Sequence, residues 1–502
     1  MSRGGQWLWL PVMGALLSAT IHAQTAPPAA AAGDGYWRHE GETLHRDFKN
    51  IDTTCATVKT DWTAATFAEK LKDVVSCAGS VQGNSFVFDF GQAPANNQIG
   101  LGLALTDGDP LKFKDANGRK RDLDVIWKIA GDISTNGSWT GYGTLDLHLE
   151  AILPPPEAPK RHVDHPFFHF FSGSQKAQTL AYFGEGQATQ VSEETNYSLQ
   201  RTTVMGRAEI PVTVYSGLKQ TYTFGLEMGG RWYGLADGPA PGISIVNNAA
   251  VPGLFASPRY FDQSLVIKAG NMGTIGTGNQ PSAYMTGPYL RHTDTLEAKL
   301  TNRDAVSAPQ YSYRQFWLDE QHETTIRCRL HPQGSGGKSR PSNPQFRWPL
   351  SDCFTLALEG SVTETAADAG KTVPFFLQPT VGGSDIDNYL SLPSYANYRF
   401  RAPDVEYANA SFFVPAGSTQ IKYIEKIPFL AFMLRADTGK AALRRDDLSV
   451  NHMRHSFSAG ISLSVGNVAA ISLFYSWAGS EGGQFQKLIN PQLLGKGIAD
   501  YW

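Results

Sequence analysis

Beyond its N-terminal segment the chain has no apolar run approaching the roughly 18 residues of a membrane-spanning helix. That excludes a helical anchor there and leaves open a transmembrane barrel, whose strands need only about 9 to 11 residues of alternating character. An excess of one charge is also missing. With 43 basic against 46 acidic residues, net charge -3, the chain lacks the positive field that nucleic-acid binding requires. Cysteine is scarce, at four residues, in two local pairs: Cys55 with Cys77, and Cys328 with Cys353. Neither pair has CxxC spacing and only His331 lies near a cysteine, too few ligands for a local zinc site. In an oxidising compartment the same spacing predicts two disulfides, 55 to 77 and 328 to 353.

The N-terminus carries Arg3, an apolar stretch from Trp7 to Leu17, and the small residue Ala23, the layout of a cleaved secretory signal over residues 1–23. The alanine- and proline-rich linker that follows leads to one helical pattern, Thr60 to Cys77, with Phe67, Leu71, Val74 and Val75 on one face. Residues 24–84 are therefore expected to form a short periplasmic segment of linker and helix, and residues 85–502 a separate β domain.

From Ser85 onward the period is two. In "GTLDLHLEAI", Leu145, Leu147, Leu149 and Ala151 alternate with Asp146, His148 and Glu150. In "TYTFGLEMG", Tyr222, Phe224, Leu226 and Met228 alternate with Thr223, Gly225 and Glu227, and in "SFSAGISLSV" Phe457, Ala459 and Ile461 alternate with serines. A soluble sandwich also alternates, but three features favour an inside-out barrel. The strands are long, about 18 residues from Thr195 to Val212 against the usual five or six. Aromatics gather near strand ends, as at Trp232, Tyr233, Tyr313, Phe316, Trp317, Tyr475 and Trp477. Short connections (Gly466, Asn467) alternate with long ones. The fold class expected is all-β, a transmembrane antiparallel β-barrel of about sixteen strands.

The runs "VPFFLQPTVGGSD", "YRFR", "EYANASFFVP", "FLAFMLRADTGKA" and "HSFSAGISLSVGN", in that order, resemble the last barrel strands of the bacterial surface antigen family, the outer-membrane barrels of BamA/TamA type. The likeness runs from about Tyr182 to Phe485. It implies an outer-membrane location in a Gram-negative bacterium, contact with outer-membrane lipid, protein or lipid clients, and no cofactor. It also implies that the segment after Gly382 and Gly383 folds into the lumen, where an arginine at its tip meets an acid on a lumen-facing strand. "RADTGK" stands where the family has "FVDAGK", which puts Asp437 at the acidic position with Gly439 after it. The tip arginine is absent, because "IDNY" (Ile386 to Tyr389) or "LPSY" (Leu392 to Tyr395) replaces "LRGY". Arg399 and Arg401 are the substitutes, either carried into the lumen near Asp437 or another inward acid, or solvated on an outer loop. In an extended "YRFR", Tyr398 and Phe400 would share the opposite, lipid-facing side. The family's periplasmic POTRA repeats do not fit within residues 24–84.

Catalytic signals are weak. His162, Asp164, His165 and His169 in "HVDHPFFHF" follow a proline-rich turn and read as a polar strand entry rather than a metal site. The serines of "FSGSQ" and "VGGSD" lack the strand-turn-helix setting of a nucleophile elbow. The expectation is a non-enzymatic barrel that inserts or translocates protein or lipid. A passive pore is the alternative and a barrel hydrolase the third reading.

Overall fold

The computed structural model describes residues 86–89, 100–114, 118, 120–148, 161–163, 166–215, 219–246, 251–254, 256–276, 289–327, 352–385, 390–418, 428–465, 468–478 and 481–489. The signal sequence, the expected helix, Cys55, Cys77, Cys328, the side chain of Cys353, and Glu150, Asp164 and His165 lie outside the described residues.

The strands, in order, are β1 (Phe86–Asp89), β2 (Gly100–Lys114), β3 (Lys120–Ser134), β4 (Trp139–His148), β5 (Arg161–Val163), β6 (Phe167–Tyr182), β7 (Thr195–Tyr215), β8 (Lys219–Asp237), β9 (Arg259–Gly276), β10 (Tyr289–Ala305), β11 (Tyr313–Arg327) and β12 (Asp352–Ala366). Four two-residue strands follow: β13 (Thr380–Val381), β14 (Gly383–Ser384), β15 (Leu390–Ser391) and β16 (Phe400–Arg401). The chain then adds β17 (Asp404–Ser418), β18 (Pro428–Ala442), β19 (Arg454–Val465), β20 (Val468–Ala478) and β21 (Gly482–Ile489).

All but β13 to β16 join one 17-stranded sheet in which successive strands pair antiparallel. Because β5 pairs with β7 beyond the end of β6, those two share one place and the sheet has sixteen positions. The segment between β12 and β17 thus connects positions eleven and twelve. Among the described residues, β1 and β21 are the ends of the sheet and no ladder joins them.

Polarity is inverted relative to a water-soluble sheet. Antiparallel pairing aligns Leu226, Leu265, Leu300 and Phe316 in one row across β8, β9, β10 and β11, and Phe224, Ile267, Ala298 and Leu318 in the next. Leu226, Leu265, Leu300 and Phe316 are all exposed, at 37–52%. On the other side of the same strands lie Glu227, Arg231, Asp262, Ser264 and Thr301, all buried. The same holds in β19, where Phe457 and Ile461 are exposed while Ser456, Ser458 and Ser462 are buried. Serine hydroxyls pair across the inner face, Ser458 with Ser476 at 2.7 Å and Ser472 with Ser462 at 3.0 Å. A continuous apolar exterior of this extent exceeds the few hundred Å² that soluble monomers expose.

The inner face is also concave. The β12–β17 segment touches β7, where Arg401 reaches Tyr197, and β21, where Gln486 reaches the Pro393 carbonyl. Ten strand spacings separate those strands, roughly 48 Å on a flat sheet, so one short segment can touch both only if the sheet curls around it. Three of the aromatics expected at an outer girdle turn inward instead: Tyr233 and Tyr313 are buried, and Trp317, in register with Lys299, shares their side of the alternation. Trp232, Phe316, Tyr475 and Trp477 do face outward.

Candidate functional site

The inward segment comprises residues 373–385 and 390–403 and is built as two nested pairs, β13 with β16 and β14 with β15. Its return depends on Gly382 and Gly383, at φ 110° and 65°. A Cβ on Gly383 would sit 2.5 Å from the Asn397 backbone, so both a left-handed conformation and a close chain approach require glycine there. Gly439 on β18 serves the same packing from the wall side, since a Cβ there would meet Val381 at 2.8 Å.

Two apolar clusters seat the segment. Phe375 and Phe376 pack among Tyr182, Tyr197, Tyr233 and Tyr260, with Phe375 edge-on to Tyr182 and Tyr197 at 4.9 and 5.1 Å. Val381, Leu392, Tyr395 and Phe400 pack against Val405, Tyr407 and Ala441 of β17 and β18. Burial of this many large side chains contributes about 1.5–3 kcal/mol each before ordering costs.

Both arginines of "YRFR" are carried inside, at 2% and 3% exposure. Arg399 Nε donates to the two carboxylate oxygens of Glu481 at 3.0 and 3.2 Å. Its Nη groups donate to the hydroxyl and carbonyl of Thr189, each at 2.6 Å, and its plane lies over Phe183 and Phe400. Arg401 donates to the carbonyls of Phe375 (2.7 Å) and Gln378 (3.2 Å) and to the Tyr197 hydroxyl (3.0 Å). Its own carbonyl accepts from Gly186 N at 2.7 Å.

Neither arginine is the partner of Asp437. That carboxylate accepts from Arg435 Nε at 2.8 Å and from the Tyr407 hydroxyl at 2.5 Å. Arg435 is two residues upstream on the same face of β18, so the acid already has a cation beside it. Arg435 also donates to the Leu390 carbonyl at 2.7 Å, tying the Asp437 cluster to the inward segment. Nor do Tyr398 and Phe400 face outward, since both are buried. Tyr398 has φ 62°, which breaks the strand alternation on which that expectation rests.

The wall beneath is ionic. Glu227 accepts from Lys299 at 2.7 Å and Arg207 at 2.9 Å, and Arg231 meets Asp262 at 3.0 Å. Lys268 links Glu209 and Glu297 at 3.7 and 3.5 Å. Above this layer a cavity of about 220 Å³ is lined by Arg201, Arg231, Arg303 and Arg401, with Asp385 and Tyr398. Outside the strands, burial pushes the Glu185 carboxyl up, against a hydrogen bond from Gln378. Asp146 contacts His169 on the inner face, which accounts for one histidine of "HVDHPFFHF". Of the serines beside glycine, the Ser174 hydroxyl meets that of Thr202.

Glu481, Thr189 and Tyr197 are 82, 210 and 204 residues from their arginines, and no local pattern marks them. Arg435 was readable in principle from its i, i+2 spacing to Asp437.

Among the described residues these features define an all-β protein, one large antiparallel sheet of sixteen positions curled around an inward segment anchored by arginines. No family model matches the chain and no curated protein matches it. Solved structures that overlap with it include CdiB from Acinetobacter baumannii (TM-score 0.38, 10% identity, 80% of this chain and 56% of that one). BamA from Haemophilus ducreyi lacking POTRA domains 1-3 gives 0.39, 14%, 78% and 67%, and CdiB from Escherichia coli 0.41, 10%, 80% and 61%. The chain thus spans little more than half the length of the first of these, and overlap at that level fixes no role.

Proposed function

We propose that this chain is an exported β-barrel of the Gram-negative outer membrane, non-enzymatic, whose lumen is occupied by residues 373–385 and 390–403. In this reading it acts in the insertion or translocation of protein or lipid clients. The carrying observation is the inverted polarity: rows of Leu, Ile and Phe cover the outside while Ser, Arg and Glu are buried inside. Only a hydrocarbon solvent makes that distribution favourable, and a barrel satisfies every backbone group within it.

In this reading client handling takes place where the sheet begins and ends: a seam between β1 and β21 would offer backbone donors and acceptors to an added strand. A passive pore is the second reading, and the anchored segment across the interior argues against a permanently open one.

Two measurements on the full chain test the location. The protein should stay with carbonate-washed membranes, and its gel mobility should shift on heating, as a folded barrel unfolds. A soluble periplasmic monomer with no heat-dependent mobility would end the proposal.

A further inference from the structure

We propose that His292, Asp294 and His322 form a binding site for a divalent transition-metal ion of the zinc type, on the outer face of the sheet at the margin of its apolar band. His292 and Asp294 lie at i, i+2 on β10, and His322 stands directly opposite Asp294 on β11. Alternation puts all three on the face that carries Leu296 and Leu300. Their ligand atoms lie within 4.8 Å of one another. His292 Nε2 is 2.5 Å from one Asp294 oxygen and His322 Nδ1 is 2.6 Å from the other. Two imidazoles and one carboxylate, from adjacent strands of a rigid sheet, are a three-ligand set for zinc with a fourth position open.

The remaining nitrogens, His292 Nδ1 and His322 Nε2, face the same Thr324 hydroxyl, at 3.3 and 2.9 Å. With a metal on His292 Nε2, His322 Nδ1 and Asp294, Thr324 is the outer partner that orients both rings.

The setting gives a second argument. The registered row Gln220, Asn271, Asp294 and His322 borders the row Tyr222, Ala269, Leu296 and Glu320. A carboxylate at the edge of an apolar band is costly unless its charge is matched, and a divalent cation matches it. Asp294 also lines a hollow of about 130 Å³ together with Gln220, Tyr222, Leu296 and Glu320, which has room for a water as a further ligand.

The test is titration of Zn2+ into the purified, chelator-stripped full chain in detergent, with Co2+ absorption as a second readout of the coordination. One specific Zn2+ per chain is expected, unaffected by excess Mg2+ or Ca2+, since imidazole ligands favour the softer ions. Asp294→Asn, close to isosteric, and His322→Ala should each weaken Zn2+ binding by about 100-fold, and Thr324→Val by about 10-fold. The heat-dependent gel shift should be retained in each variant. If the wild type takes up no Zn2+, or Asp294→Asn binds as the wild type does, the site is refuted.

Discussion

Replacing Arg401 with alanine should release the inward segment and turn a quiet barrel into a conducting one. The guanidinium holds two carbonyls of its own segment and the Tyr197 hydroxyl on β7, so one substitution cuts the internal turn and its attachment to the wall together. Leaving buried acceptors unmet costs about 1–3 kcal/mol each, so a loss of about 3 kcal/mol or more is expected, concentrated in the inward segment rather than in the sheet. In planar bilayers the wild type should give little steady current and Arg401→Ala frequent long openings. A protease added outside intact cells should cut the variant within the segment and spare the wild type. Arg401→Lys should rescue little, because one ammonium cannot span acceptors that a planar fork reaches at once.

Glu227→Ala should be the most damaging single change in the wall. The carboxylate, 1% exposed, is the shared partner of Lys299 and Arg207. Its removal leaves Lys299 without its 2.7 Å partner and Arg207 with Glu209 at 3.3 Å. Stranding buried charge in this way costs about 3–5 kcal/mol. The expected result is a fall of several degrees in the temperature at which the folded band disappears from gels. The further change Lys299→Met should recover part of the loss, because removing the stranded cation also removes its desolvation cost.

The sheet was largely legible because a barrel wall repeats one local rule. Tyr222, Phe224 and Leu226, or Phe457 and Ile461, declare their face by alternation alone. Inside the loop that rule fails. Tyr398 adopts φ 62°, the alternation slips, and four successive residues, Tyr398 to Arg401, are all buried. The partners of Arg399 and Arg401 come from chain positions far away, brought near only by curvature of the sheet, which no window of sequence contains. The resemblance to the surface antigen family directed attention to Asp437, while its nearest cation, Arg435, stood two residues away. The His292, Asp294 and His322 cluster was illegible for a related reason: its histidines meet through the β10 and β11 register, thirty residues apart.

The claim beneath all of this is that the outer face of the sheet lies in hydrocarbon. A fluorescent amino acid placed in turn at Leu265, Phe432 and Ile461, with Val450 on the 443–453 connection as the exposed control, can be read in liposomes of brominated phospholipid. The three outward sites should be quenched by the brominated chains and ignored by aqueous iodide, while Val450 shows the reverse. Iodide quenching at Leu265, Phe432 and Ile461 with no effect of the brominated lipid would contradict a membrane-spanning sheet.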